Sequence, residues 1–296
     1  MKEKYLNLFT DYGFKKLFGE EDSKEQLIAF LNTLLPEKHR IKTLSFTVNE
    51  QLGQTPVDRR AVFDLNCVSQ SGEHFIVELQ KAKQNFFKDR SVFYATFPIQ
   101  QQAERGDWDF KLNAVYTIGI LDFTFDEDKH STDVVHTVQL KNQHNQVFYD
   151  KCTFIYLTMP CFTKTEDELE TDQDKWLYLF KNLHLLQSVP PRFQEQVFLR
   201  IFEKAQIAKF DPEERQAYES SLKYYRDMKN VIDTAKHEAK EEGRLEGRLE
   251  GRLEGHLEGS FEKAKEIASN LLSVFDDRTI AEMTGLSEQE VRSLRK

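Results

Sequence analysis

Nowhere in the 296 residues is there an apolar run long enough to span a bilayer. The opening residues Met1, Lys2, Glu3 and Lys4 are followed by no signal-peptide core, so a soluble cytoplasmic protein with no membrane partner is expected. Cysteine is scarce. Cys67, Cys152 and Cys161 are odd in number and have no Cys-x-x-Cys spacing, which leaves free thiols in a reducing compartment and excludes a disulfide framework or a zinc site. An excess of positive charge is missing too. The formal net charge of -9 excludes a protein that coats nucleic acid without regard to sequence. The acidity is uneven, however. Residues 1–123 carry 16 Lys and Arg against 17 Asp and Glu, a net of -1, which leaves -8 for the remainder. A locally basic surface in the first part is compatible with that balance.

Apolar residues are present in ordinary proportion, with 24 phenylalanines, enough for one sizeable core and an appendage. The stretch that directs the functional reading runs from Ala61 to Lys81. Two short mixed runs, Ala61-Val-Phe-Asp-Leu-Asn-Cys-Val68 and Glu73-His-Phe-Ile-Val-Glu-Leu-Gln-Lys81, flank a turn containing Gly72, the pattern of a β-hairpin. Alternate side chains of a strand share a face, which groups Val62, Asp64 and Asn66 on the first strand and His74, Ile76, Glu78 and Gln80 on the second. An acid inside Val-Phe-Asp-Leu, and another inside Ile-Val-Glu-Leu, is costly to bury unless paired, protonated or metal-bound. If Asp64 and Glu78 meet across the pair, they form a hard-oxygen pocket of the kind that takes Mg²⁺ or Mn²⁺. The alternative is an antiparallel sheet with one wet side, where both acids meet solvent.

Asp64, a hairpin, Glu78-Leu79-Gln80 and then an aromatic helix with Arg90 and Tyr94 resemble the PD-(D/E)XK nuclease superfamily, and within it the bacterial recombination-promoting nuclease and transposase family. The resemblance covers Thr10-Asp-Tyr-Gly-Phe-Lys-Lys-Leu-Phe-Gly19, then Phe63 to Phe123, and more loosely the tail. It implies a metal held by Asp64 and Glu78. It also implies a third catalytic position at Gln80, where the superfamily carries a lysine. A glutamine orients a water but brings no positive charge. Lys81, Lys83 or Lys16 would have to compensate. By the same resemblance Asp11 is a candidate for the rim of the site, the other reading being an ordinary N-cap. Arg90 and Tyr94, four residues apart, would brace a phosphate or the carboxylates, or else belong to a packed aromatic face. Asp58 competes with Asp64 for the metal role, but lies before the apolar run and not inside it.

Along the chain, Ser23 to Leu35 has helical spacing, with Ser23 as N-cap and Pro36 as terminator. Ile41 to Leu52 reads as a strand ending near Gly53, and Arg59 and Arg60 as a connection. Asn85 to Arg105 reads as a helix with Pro98 inside it and Gly106 closing it. Ala114 to Phe123 suits a strand buried on both faces, and Val134 to Leu140 and Phe154 to Cys161 are further strands. The order helix, three strands, helix, strand fits a mixed α/β layer, and the resemblance implies that it is a restriction-endonuclease-like mixed sheet flanked by helices. An all-helical C-terminal region with a long helix and a helix-turn-helix-like tail follows it. The expected divisions are a nuclease-like domain at 1–165, a helical region at 166–235, a repeat at 236–260 and the tail at 261–296.

From Gly243 to Gly259 the unit Gly-Arg-Leu-Glu recurs with a period of four. It is either a helix whose leucine row pairs with another copy or a flexible spacer. In the tail, Ser287 and Glu290 form a capping box, and only Arg292, Arg295 and Lys296 are placed to reach phosphates, so a packing hairpin is favoured over a DNA reader. These readings converge on a metal-dependent DNA endonuclease hydrolysing phosphodiester bonds, linked to recombination, using Mg²⁺ or Mn²⁺, and assembling as a homo-oligomer through 243–259. The competing readings are a non-catalytic oligomeric interaction protein that retains the fold, or a transposase-associated DNA-binding protein.

Overall fold

A computed structural model describes residues 3–47, 50–51, 61–103, 106–128 and 131–295. Leu52, Gly53, Asp58, Arg59, Arg60, Arg105 and Lys296, which the sequence reading invoked, lie outside the described residues. The chain divides into two compact units, residues 1–229 and 230–296. The first unit begins with α1 (Asp11–Phe18) and α2 (Lys24–Asn32), then β1 (Leu44–Phe46), β2 (Glu50–Gln51), β3 (Ala61–Val62), β4 (Leu65–Ser69) and β5 (His74–Gln80). It continues with α3 (Phe87–Gln101), β6 (Val115–Leu121), β7 (Val135–Lys141), β8 (Val147–Thr158), α4 (Asp172–Asn182) and α5 (Gln196–Lys204). Helix α6 (Pro212–Leu271) contributes residues to both units, and α7 (Asp277–Thr284) and α8 (Glu288–Ser293) belong to the second.

Among the described residues, six strands form one mixed sheet in the order β1-β4-β5-β6-β8-β7. The inner pairs β5/β6 and β6/β8 are parallel, and the pairs β1/β4, β4/β5 and β8/β7 are antiparallel. Parallel neighbours need a crossover, and α3 supplies it between β5 and β6. Every residue of β6 is buried, as its unbroken apolar run requires of a central strand. The two faces of β5 go to different partners. Phe75, Val77 and Leu79 join the main core with Phe14, Leu17 and Phe18 of α1, Phe30 of α2 and Trp176 and Phe180 of α4. Ile76 packs with Phe63 against Tyr94 and Phe97 of α3. Glu78 and Gln80 alternate onto that second face.

Several elements depart from their expected bounds. The strand expected over 41–52 is two pieces, β1 and β2, of which β2 pairs with β3 in a separate small sheet. The first strand of the hairpin is therefore broken: β3 stops at Val62, the chain bends at Asp64, and β4 starts at Leu65. Its turn forms as expected, with Gly72 at φ +89°, a conformation that a side chain disfavours. Helix α2 stops at Asn32, before Pro36. Ser23 stands at its N-cap without a capping bond, because its hydroxyl donates to the Lys16 carbonyl at 3.2 Å. Helix α3 continues across Pro98 and is capped at Gln102, so Gly106 does not close it. Phe86 and Phe93 face out of α3, while Phe87, Ser91, Ala95 and Pro98 face in. Strand β8 begins at Val147 and ends before Met159–Cys161, which form a short 3₁₀ turn.

The main core is aromatic around Phe18, which contacts Phe14, Phe30, Trp176 and Phe180 at ring-centroid distances of 5.4–5.9 Å. Phe18→Ala is expected to destabilise the protein by about 3–5 kcal/mol, measured by denaturant unfolding. A loss under about 1 kcal/mol would contradict the packing described.

Candidate metal centre

Strand register brings the two acids of the hairpin together. Leu65 pairs with Val77, which sets Asp64 beside Glu78 and would set residue 63 opposite Leu79 had the strand continued. It does not continue, because the chain bends at Asp64. The Asp64 carboxylate takes the vacated place in the ladder, its Oδ2 accepting the Leu79 N–H at 2.7 Å. In return the Asp64 N–H donates to Glu78 Oε1 at 3.3 Å, and Gln80 Nε2 donates to Glu78 Oε2 at 3.3 Å. Asp64, Glu78 and Gln80 thus form one connected group at the end of β5.

Neither acid lies on a wet sheet face. Glu78 is only 7% exposed, and Asp64 is half-buried. Burial, and after it the charge of Asp64, pushes the Glu78 carboxyl up to about 8, against the pull of Arg90, the Asp64 amide and Gln80. Burial also raises Asp64. The Leu79 N–H opposes that rise, Asp11 adds to it, and Lys15 and Lys81 counter it.

Those charges place the opening motif at the same site. Thr10 caps α1 by accepting the Gly13 N–H. A Cβ on Gly13 would meet the Asn7 carbonyl at 2.4 Å, so glycine there lets α1 pack against the segment before it, and a Cβ on Gly19 would meet Leu65 at 2.9 Å, so glycine there lets the end of α1 close onto the start of β4. Phe14, Leu17 and Phe18 are buried, while Asp11 and Lys15 pair on the outer face at 3.1 Å. Asp11 is the first residue of α1, and its N-cap is Thr10.

Of the three lysines considered as substitutes for the missing charge at Gln80, two are paired elsewhere. Lys83 pairs with Asp126, and Lys16 with Glu214 and, at 3.7 Å, Glu20. Lys81 lies in the field of both Asp11 and Asp64, with burial lowering its ammonium's pKa and its nitrogen 5.6 Å from the Tyr224 ring centroid. Arg90 lies 5.4 Å from the Phe87 ring and 5.7 Å from Tyr94, and its Nη1 donates to Gln84. Its Nη2 is buried with no hydrogen-bond partner among the described residues. Tyr94 packs edge-on against Phe63 at 5.2 Å, which fixes the shelf on which Arg90 rests.

Two contributors escaped the sequence reading. Lys15 is an ordinary surface lysine by pattern, yet it acts on Asp64. Asp122 directly follows β6, its N–H donating to the Gln80 carbonyl at 2.9 Å, but its carboxylate accepts the Tyr225 hydroxyl at 3.1 Å. Among the described residues no group of three or more His, Cys, Asp or Glu side chains is arranged to hold a metal ion. Asp64 and Glu78 stand as two adjacent hard-oxygen groups. In the tail, Arg295 is consumed internally by Asp277 at 2.6 Å and by the carbonyls of Leu272 and Phe275. Arg292 is held by Asp277 at 3.5 Å and Glu288 at 3.7 Å.

Glu78 titrates near 4.5 in an unfolded chain and is pushed up to about 8 in the fold. Between those values the unfolded chain ionises while the folded one keeps its proton, so stability is full below 4.5 and declines as pH rises through 8. Asp64 adds in the same direction. In chelator, Glu78→Gln is expected to be more stable than wild type at pH 8 by on the order of 1–3 kcal/mol and indistinguishable from it near pH 4.5. Denaturant titrations at both pH values check this. A wild type no less stable than Glu78→Gln at pH 8 would contradict it.

A family model described as PD-(D/E)XK nuclease family transposase matches residues 8–235. No curated protein and no solved structure matches the chain. The matched span covers the sheet, the carboxylate pair and the α1 motif, and the chain belongs to the PD-(D/E)XK nuclease family of transposases.

Proposed function

We propose that the protein is a divalent-metal-dependent DNA endonuclease, and that Asp64 and Glu78 hold its ion, Mg²⁺ or Mn²⁺. The observation that carries the proposal is the cross-strand carboxylate pair, buried enough to resist ionisation yet fixed by backbone N–H groups. Two adjacent acids that burial and mutual repulsion drive toward neutrality are stabilised as anions by a cation between them. Mg²⁺ is commonly bound by one or two carboxylates, with water and substrate phosphate completing the shell, so the donor set fits.

When bound, the ion would polarise the phosphodiester and lower the pKa of the attacking water. The chain's own groups would do the rest. Gln80, its amide nitrogen turned to Glu78, keeps its carbonyl oxygen as an acceptor that orients the water. Among the described residues Arg90 Nη2 is a charged donor left unpaired in a buried place, an arrangement costing about 1–3 kcal/mol unless something arrives to accept from it. A phosphate oxygen would satisfy it. Lys81 and Lys15 supply positive charge where Gln80 has none, while Asp11 holds Lys15 in place. Hydrolysis forms one bond from the water oxygen to phosphorus, breaks one P–O bond of the backbone, and leaves a phosphate monoester and a hydroxyl. Among the described residues no helix is long and apolar enough to cross a membrane.

One observation favours a second reading. Both Glu78 oxygens already accept hydrogen bonds, and the third catalytic position is uncharged, as in a non-catalytic interaction protein that keeps the fold. Supercoiled plasmid with Mg²⁺ separates the two. Nicking is expected, reduced at least about 100-fold by Asp64→Ala or Glu78→Ala and about 10-fold or more by Lys81→Met or Arg90→Met. Nicking undiminished by either acid substitution overturns the site assignment. No nicking together with no Mn²⁺ binding by calorimetry supports the scaffold.

A further inference from the structure

The Gly-Arg-Leu-Glu repeat lies wholly within α6, and the carboxylate site makes no use of it. At about 100° per residue, its four residue types form four rows. Leu245, Leu249, Leu253 and Leu257 make an apolar row, 59–62% exposed. Arg244, Arg248 and Arg252 run along one flank, and Glu246, Glu250, Glu254 and Glu258 along the other. The glycines lie behind. The two charged rows miss each other within one helix, because arginine and glutamate stand two or six residues apart, not three or four. Among the described residues Arg248 and Arg252 form no ion pair, and Arg244 reaches out of the repeat to Glu241 at 2.8 Å.

We infer that this leucine row is the contact face for a second copy of the same chain, with the two α6 helices packed parallel, N-termini at the same end. Charge selects the orientation. Two helices with their N-termini at the same end, related by a twofold along the bisector of their axes, set the arginine flank of each against the glutamate flank of the other where they cross. An antiparallel pair sets arginine against arginine and glutamate against glutamate, which is repulsive. Flanking charges choose partners in coiled coils by this rule. The glutamate row also repels a nucleic-acid backbone or an anionic lipid surface.

The spacing fixes the kind of contact. A row repeating every four residues is an i±4 ridge, and two such ridges interdigitate at about −50°. Helices crossing that steeply touch over a few turns only, which matches the ~18 Å from Leu245 to Leu257. Each glycine costs about 1 kcal/mol of helix stability relative to alanine, so the repeat gains its order from pairing, and assembly and helix formation are coupled. The inference stands apart from the reading of the carboxylate pair.

The test uses the full chain with Cys152→Ser and Cys161→Ser, Cys67 being buried. With a short-span bismaleimide, Leu245→Cys is expected to cross-link to itself, as is Leu257→Cys, and mixing the two is expected to add no heterodimer link. Sedimentation is expected to show a dimer. Arg248→Glu with Arg252→Glu is expected to weaken it at least about tenfold. A mixture of that variant with Glu250→Arg, Glu254→Arg is expected to restore it. A monomeric wild type at every concentration, or preferential linking of position 245 to position 257, overturns the inference.

Discussion

The structure turns on a side chain that replaces a backbone group. Where the first hairpin strand bends away, Leu79 would lose its ladder partner, and the Asp64 carboxylate accepts its N–H instead. An unpaired N–H at that depth would be costly, so the bend, the acid and the start of β4 are mutually required. The same exchange points the Asp64 amide at Glu78 and sets the two carboxyls side by side. Glu78 is then held among apolar neighbours on the α3 face, where both its surroundings and Asp64 resist its charge.

That arrangement lowers stability locally, and the rest of the first unit offsets it. The aromatic cluster of α1, α2 and α4 and the fully buried β6 form a core continuous with the inner face of β5. Its rigidity fixes α1, whose Gly19 closes onto Leu65 at the start of β4, and from that helix Asp11 and Lys15 act on Asp64. The Arg90 nitrogen that has no partner among the described residues belongs to the same pattern: a group whose cost is tolerated because its neighbours, Phe87 and Tyr94, hold it regardless.

Much of the fold was legible from periodicity. The β6 run and the capping box of Ser287 and Glu290 follow local rules, and both form where those rules put them. The misplaced boundaries are where a distant partner decides. Alternation alone could not show that residues 61–62 pair with Glu50–Gln51, nor that the Ser23 hydroxyl leaves its cap for the Lys16 carbonyl. Phe86 and Phe93 fit an apolar stripe by spacing, yet they face solvent because Ser91, Ala95 and Pro98 take the inner positions.

The candidate site divides the same way. An acid inside each of two apolar runs is a local anomaly, and it drew attention to Asp64 and Glu78 without coordinates. Which lysine accompanies them was undecidable, because Lys16, Lys81 and Lys83 are equivalent as letters. Ion pairs with Glu214 and Asp126 remove two of them, and the position of α1 adds Lys15. The sequence by itself determined the family, the hairpin with its two acids and the rows of the repeat, since these rest on residue type and spacing along one chain. Only the tertiary structure decided that the acids are buried together and which cations share their field, because burial and charge proximity depend on elements far apart in sequence.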